Sequence, residues 1–304
     1  MRPLRLGTRR SRLAMAQSGQ VAERVRERTG RPVELVEITT YGDVSREHLT
    51  QIGGTGVFVS ALRDALLAGE IDLAVHSLKD LPTAQPDDLA LAAVPEREDP
   101  RDALIARDDL TFERLAARGG VRVGTGSPRR MAQLNAWARS LGCEITTVPI
   151  RGNVDTRIGF VRDGELDAVV LATAGLRRVG RESEITEILP SDTVLPAPGQ
   201  GALAIECAAS DADLTALLAA LEAGCSAPVA ALADLRDEGQ KATVMRLRGA
   251  VGTIDGSSLV QLSTTGSVAA SVEEALSHAR AMGRALADEM LAKGAAGLMG
   301  ERAL

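Results

Sequence analysis

The stretch Asp72–Pro82, reading DLAVHSLKDLP, constrains the fold more tightly than any other part of the chain. Leu73-Ala74-Val75 is a short apolar run of the kind that forms a strand buried on both faces. Polarity then reverses within one residue, to His76, Ser77, Lys79 and Asp80, and Pro82 forbids a simple continuation. Open α/β sheets place ligands beyond the carboxyl ends of their strands, so such a strand end is either a site or a solvated loop. The residues before it fit a β-α-β opening: a strand at Leu4–Gly7, a helix over Ser11–Arg28 and a strand at Val33–Ile38. Leu13, Ala14, Gln17, Val21, Ala22 and Val25 recur at helical spacing. A helix over Val57–Leu67 leads into Asp72. Thr40–Gly56, with Gly42, Gly53, Gly54 and Gly56, is too long for a tight connection and reads as a mobile lid or a disordered segment.

Glu96–Pro100 is a charged stop, after which the same rhythm restarts. Strands are predicted at Ala103–Ala106, Val121–Gly124, Glu144–Val148 and Ala168–Leu171, with helices at Arg129–Leu141 and Val154–Val161. Leu195–Gly199, rich in proline, reads as a second crossing, followed by a strand Ala202–Cys207 and a helix Asp213–Leu221. The last third changes character. Val229–Leu235, Ala242–Arg248 and Leu259–Ser263 read as strands with a turn at Asp255-Gly256, and Val272–Lys293 as one covering helix.

Charge placement narrows the function. Of the 35 basic residues only Lys79, Lys241 and Lys293 are lysines. Arginines gather where strands end and helices begin: Arg9, Arg10 and Arg12; Arg129 and Arg130 after the turn GTGSP; Arg151 and Arg157; Arg177 and Arg178. Helix starts offer unpaired N–H groups, and arginine adds a planar fork matched to carboxylate or phosphate. Taken singly these are ordinary surface arginines; as a set in two similar units they point to a cleft for a ligand with many negative groups. GTGS at 124–127 lacks the ending of a P-loop. A net charge of −6 with 2% aromatic residues argues against nucleic acid. No apolar run approaches the ~18 residues of a membrane helix, and the charged start lacks a secretory core, so the cytoplasm is expected. Three cysteines without metal spacing argue against a disulfide framework and a structural zinc site. Cys143 and Cys207 read as core residues, whereas Cys225 lies in an exposed turn, EAGCSAP, where a thiol is reachable.

These motifs together resemble the porphobilinogen deaminase (hydroxymethylbilane synthase) family. The matching segments are GTRRSRLAMAQ (7–17), GTGVFVSALRDALLAGEIDLAVHSLKDLP (54–82), REDPRDALI (97–105) and VGTGSPRRMAQL (123–134). They continue with RGNVDTRI (151–158), LDAVVLATAGLRRVG (166–180), LPAPGQGALAIEC (195–207) and EAGCSAP (222–228). The resemblance implies two α/β domains like periplasmic binding proteins around a cleft, plus a smaller α+β C-terminal domain. The implied boundaries are 1–96 with 197–213, 99–194, and 214–304. It also implies a transferase of tetrapyrrole biosynthesis that joins four porphobilinogen units head to tail, releasing ammonia, on a dipyrromethane cofactor held by a thioether. By position, Cys225 is the attachment site and Asp80 the catalytic carboxylate. Lys79, Ser127, Arg129, Arg130, Arg151, Gly152 and Gly175 match cofactor-binding positions; Arg9, Ser11, Arg157, Arg178 and Phe58 match substrate-binding ones. A monomer without metal, nucleic acid or membrane partner is expected.

The chain departs from the family pattern at Gln51 and Thr55, where some members carry lysine, and at Gly126, where some carry a second serine. The largest departure is the 17 residues between Cys207 and Cys225, a stretch in which the family has an additional helix. That shortened approach keeps open a second reading, a non-enzymatic or inactive two-lobed protein that binds a polycarboxylate such as a tetrapyrrole.

Overall fold

The computed structural model describes residues 2–38, 57–221, 232–237, 243–252, 257–267, 272–295 and 298. The expected lid at 40–56, the turn Asp255-Gly256 and Cys225 lie outside the described residues. The chain divides into two units, Met1–Asp99 with Gly199–Ser226 and Pro100–Pro198 with Ala227–Leu304. The first opens with β1 (Leu4–Thr8), α1 (Arg12–Thr29), β2 (Val33–Glu37), α2 (Val57–Leu67), β3 (Leu73–Ser77) and β4 (Leu89–Ala93). The second follows with β5 (Asp102–Ala106), α3 (Phe112–Ala116), β6 (Val121–Gly124), α4 (Pro128–Ser140), β7 (Ile145–Val148), α5 (Val154–Arg162), β8 (Ala168–Ala172), α6 (Thr173–Arg178) and β9 (Glu187–Ile188). The chain returns to the first unit as β10 (Leu203–Ala208) and α7 (Ala212–Ala219). It ends in the second with β11 (Leu232–Asp237), β12 (Thr243–Gly252), β13 (Leu259–Ser267) and α8 (Val272–Ala292).

The two large sheets share one plan. The first has the order β2-β1-β3-β10-β4 and the second β7-β6-β8-β5-β9. In the first, β1 runs parallel to β2 and β3, while β10 is antiparallel to β3 and β4. In the second, β6 runs parallel to β7 and β8, while β5 is antiparallel to β8 and β9. Each sheet therefore gathers the carboxyl ends of three parallel strands on one edge, where α/β proteins place ligands. The two α/β units and the smaller α+β element are those expected from the sequence.

Local chemistry explains these elements. Ser11 caps α1, its side chain accepting from the Ala14 backbone N–H, and Gly30 closes the helix in the left-handed region. Val21, Ala22 and Val25 of α1 pack with Leu4, Leu6 and Leu73 in the first core. Asp72 accepts from the Arg5 backbone N–H at 2.8 Å and from the Arg5 and Arg2 guanidinium groups, fixing β3 beside β1. In the second unit Phe112 stacks on Trp137 at 4.2 Å between ring centroids; α3, which carries Phe112, and the two-residue strand β9 were not expected from the sequence. The small sheet has the order β11-β12-β13, and Leu247, Leu286 and Met290 form its core beneath α8. Arg248 of β12 is ion-paired with Asp192, in the loop after β9.

At the return into the first unit, Gly201 has φ +89° and an added Cβ there would stand 2.4 Å from the Glu98 carbonyl oxygen. Glu98 N–H in turn donates to the Gly201 carbonyl at 3.2 Å. Backbone against backbone leaves no flexible group to yield, so Gly201→Ala is expected to cost about 1–3 kcal/mol. Calorimetry of the variant should show the melting temperature lowered by several degrees.

Candidate active site

In the first unit the candidate residues converge beyond the carboxyl ends of β1 and β3. After Ser77 the chain makes one tight helical turn, Leu78–Asp80, which sets Lys79 and Asp80 side by side. Lys79 donates from Nζ to Gln200 Oε1 at 3.2 Å. Gln200 is itself fully buried, and Arg97 Nε donates to its carbonyl at 2.8 Å. The buried Gln17 of α1 donates Nε2 to Ser77 Oγ at 3.0 Å, bracing the strand end from the helix side. Arg9 follows β1, and Phe58 occupies the first turn of α2. Ser11 lies in the same region, but its hydroxyl is engaged as the cap of α1.

The Asp80 side chain is open to solvent while much protein surrounds it. Desolvation by that protein raises its carboxyl above the ordinary value, and Lys79, Arg9 and His76 pull it back in part.

In the second unit the candidates follow the parallel strands β6, β7 and β8. Ser127 caps α4 by accepting from Arg130 N–H at 3.4 Å, and Pro128 starts the helix. Arg129 and Arg130 are held from behind by the fully buried Asp102. Arg129 Nη2 donates to Oδ2 at 2.7 Å, while Arg130 donates Nε and Nη2 to Oδ1 at 3.0 and 2.7 Å. Arg130 also donates to the Val170 carbonyl at 3.0 Å. Burial would raise the Asp102 carboxyl, but Arg130 and Arg129 outweigh it and hold it at about 2. Asn153 caps α5, accepting from Thr156 N–H at 2.8 Å. Arg157 Nε donates to the Gly152 carbonyl at 2.9 Å. Burial, then the nearby Arg130 charge, lowers the Arg157 pKa. Arg151 and Gly152 are exposed; Gly175 and Arg178 lie on α6, half-buried.

Gly126 stands in the turn between β6 and α4. An added Cβ would lie 2.7 Å from the Ile150 carbonyl oxygen, so this turn admits a side chain only if its backbone moves. Gln200, Asp102 and Glu206, each fully buried, were not singled out from sequence. A buried polar residue inside an apolar run was their one available signal, and it is clearest in LAIEC, where Glu206 interrupts a strand.

A family model described as "Porphobilinogen deaminase, dipyromethane cofactor binding domain" matches residues 4–216, and one described as "Porphobilinogen deaminase, C-terminal domain" matches residues 215–292. The chain is 72% identical to "Porphobilinogen deaminase 1" of Streptomyces avermitilis, covering 98% of each. It is 69% identical to "Porphobilinogen deaminase 1" of Streptomyces coelicolor, covering 99% of this chain and 98% of that one. Among solved structures, the probable amino-acid ABC transporter extracellular-binding protein ytmK of Bacillus subtilis aligns with 72% of this chain and 89% of its own, at 10% identity and a TM-score of 0.43.

Proposed function

The chain belongs to the porphobilinogen deaminase family, and we propose that it performs that family's reaction with the residues placed above. It is a hydroxymethylbilane synthase, condensing four porphobilinogen molecules head to tail with release of ammonia in tetrapyrrole biosynthesis. The observation that carries the assignment of residues is the concentration of arginine at the carboxyl ends of β6, β7 and β8, with Arg157 desolvated beside Arg130. Every pyrrole added brings two carboxylates, which guanidinium forks and helix starts are built to receive.

That donor set fits a dipyrromethane. Ser127, Arg129, Arg130 and Arg151, the backbone at Gly152 and Gly175, and Lys79 would hold its acetate and propionate groups, with Cys225 as the thioether anchor. When bound, the group supplies the terminal pyrrole carbon that the first substrate joins. Arg9, Ser11, Arg157 and Arg178 receive the carboxylates of the incoming porphobilinogen, and Phe58 offers an aromatic face. As the substrate's aminomethyl nitrogen leaves as ammonia, positive charge develops on the pyrrole it departs from. Asp80 is the carboxylate placed to stabilise that charge and to accept from the pyrrole N–H. Gln200 keeps Lys79 beside it.

We assign the domains as 1–96 with 197–213, 99–194 and 214–304, and the working state as a cytoplasmic monomer. Among the described residues no helix is long and apolar enough to cross a membrane. Intact-mass measurement of the purified protein tests the reading most directly. A mass increase matching a dipyrromethane is expected, absent from Cys225→Ser. A wild-type mass equal to the bare chain, with tetrapyrrole binding but no ammonia release, would instead establish a non-enzymatic polycarboxylate binder.

A further inference from the structure

Glu206 of β10 has no part in the chemistry assigned above, yet it is fully buried among positive groups. Arg63, from α2, donates Nε to its Oε2 at 3.0 Å and Nη2 to its Oε1 at 2.7 Å. His76, near the end of β3, brings Nε2 to 3.2 Å from the same Oε2. That ring nitrogen is buried and lies outside hydrogen-bond geometry, so the contact is one of proximity. A buried carboxylate is costly alone, and a two-point guanidinium fork offsets the cost. Burial pushes Glu206 up, but His76 and Arg63 outweigh it and hold the carboxyl at about 2.

The imidazole connects this buried pair to the site. His76 stands four positions before Asp80 and is one of three groups, with Lys79 and Arg9, that pull the Asp80 carboxyl down. Of the three it alone is buried. Glu206 from β10 faces it, with Arg63 from α2 on that carboxylate, while Lys79 from the turn and Arg9 from the segment after β1 act with it on Asp80. Helix α1 contributes the neutral Gln17.

We propose that Arg63 and Glu206 are positioning residues for the reaction, fixing the His76 imidazole at the base of the Leu78–Asp80 turn so that it shapes the electrostatic surroundings of the Asp80 carboxylate. This rests on the reading of Asp80 as the catalytic carboxylate. The test is the pH profile of kcat at saturating porphobilinogen. Asp80→Glu serves as calibration, because it displaces the acid limb if the residue 80 carboxyl titrates there. His76→Asn removes a group that lowers the Asp80 carboxyl, so the acid limb is expected to move to higher pH by roughly half a unit or more, with KM near wild type. The double variant Arg63→Met with Glu206→Gln removes both buried charges together and should displace the limb in the same direction. A purely structural role would lower the melting temperature and leave the limb in place. A limb unmoved in His76→Asn and in the double variant, while Asp80→Glu moves it, overturns the proposal and leaves Asp80 standing. A limb that Asp80→Glu also fails to move overturns the reading of Asp80 and this proposal with it. The two perturbations are independent, so if one variant fails to fold the other decides.

Discussion

Asp80→Asn is expected to lower kcat by about two to three orders of magnitude while the protein stays folded. The substitution keeps the shape of the side chain and removes only its charge, so the loss reports charge stabilisation rather than packing. Stability should move the other way. Desolvation raises the folded-state pKa of Asp80, so above the ordinary carboxylate range its ionisation costs folding free energy. A neutral residue avoids that cost, and the melting temperature of Asp80→Asn at neutral pH should equal or exceed that of wild type. Steady-state kinetics with calorimetry on one preparation checks both directions. A kcat close to wild type would mean that another group carries the developing charge.

Asp102→Ala has the largest expected effect on stability. It leaves the Arg129 and Arg130 guanidinium groups without the buried carboxylate that both now contact, and breaking a buried pair in this way costs about 3–5 kcal/mol. The variant is expected to melt well below wild type, and to bind the cofactor poorly because the two arginines lose their common brace. The pH dependence follows from the same contacts. Asp102 and Glu206 titrate near 2 in the fold, against ordinary values of 3.8 and 4.5. Depressed carboxyl values contribute stability that is present above the ordinary range and is lost as pH falls through the folded value. Wild type should therefore lose stability between about pH 4.5 and 2, and Asp102→Ala should show a shallower loss over that window. Thermal melts across the range measure it.

Much of this arrangement is legible in the sequence, for identifiable reasons. The Leu73–Val75 run and the helical spacing of Leu13 to Val25 reflect burial, which leaves periodic traces, and those elements sit within a residue or two of expectation. The strands of the small sheet are longer than the sequence suggests, β12 reaching Gly252 and β13 reaching Ser267. Glycine there reads as a stop, but Gly249 and Gly266 lie under the sulfur atoms of Met290 and Met282, at 2.7 Å from where a Cβ would be. The glycines make room for the helix and do not end the strands. The clustering of arginine at the strand ends is legible in the sequence. It did not reveal that Arg129 and Arg130 share Asp102, because that partner is 27 and 28 residues away and becomes a neighbour only when β5 inserts beside β8. Ser11 and Ser127 match site positions and also cap helices, a local role that no motif separates from the one the match implies.

The placement of β10 bears on how the protein comes into being. The second unit draws its five-stranded sheet from one continuous stretch, so it can close as soon as that stretch leaves the ribosome. The first unit cannot: the strand between β3 and β4 is Leu203–Ala208, synthesised more than 100 residues after β4. Until it arrives, the inner edges of β3 and β4 are unpaired and open to wrong partners, the state that chaperones exist to shield. Glu206 arrives on that same strand, so the buried counter-charge beside His76 and the last strand of the sheet are delivered in one event. A nascent chain therefore completes this sheet only once Ala208 has been made.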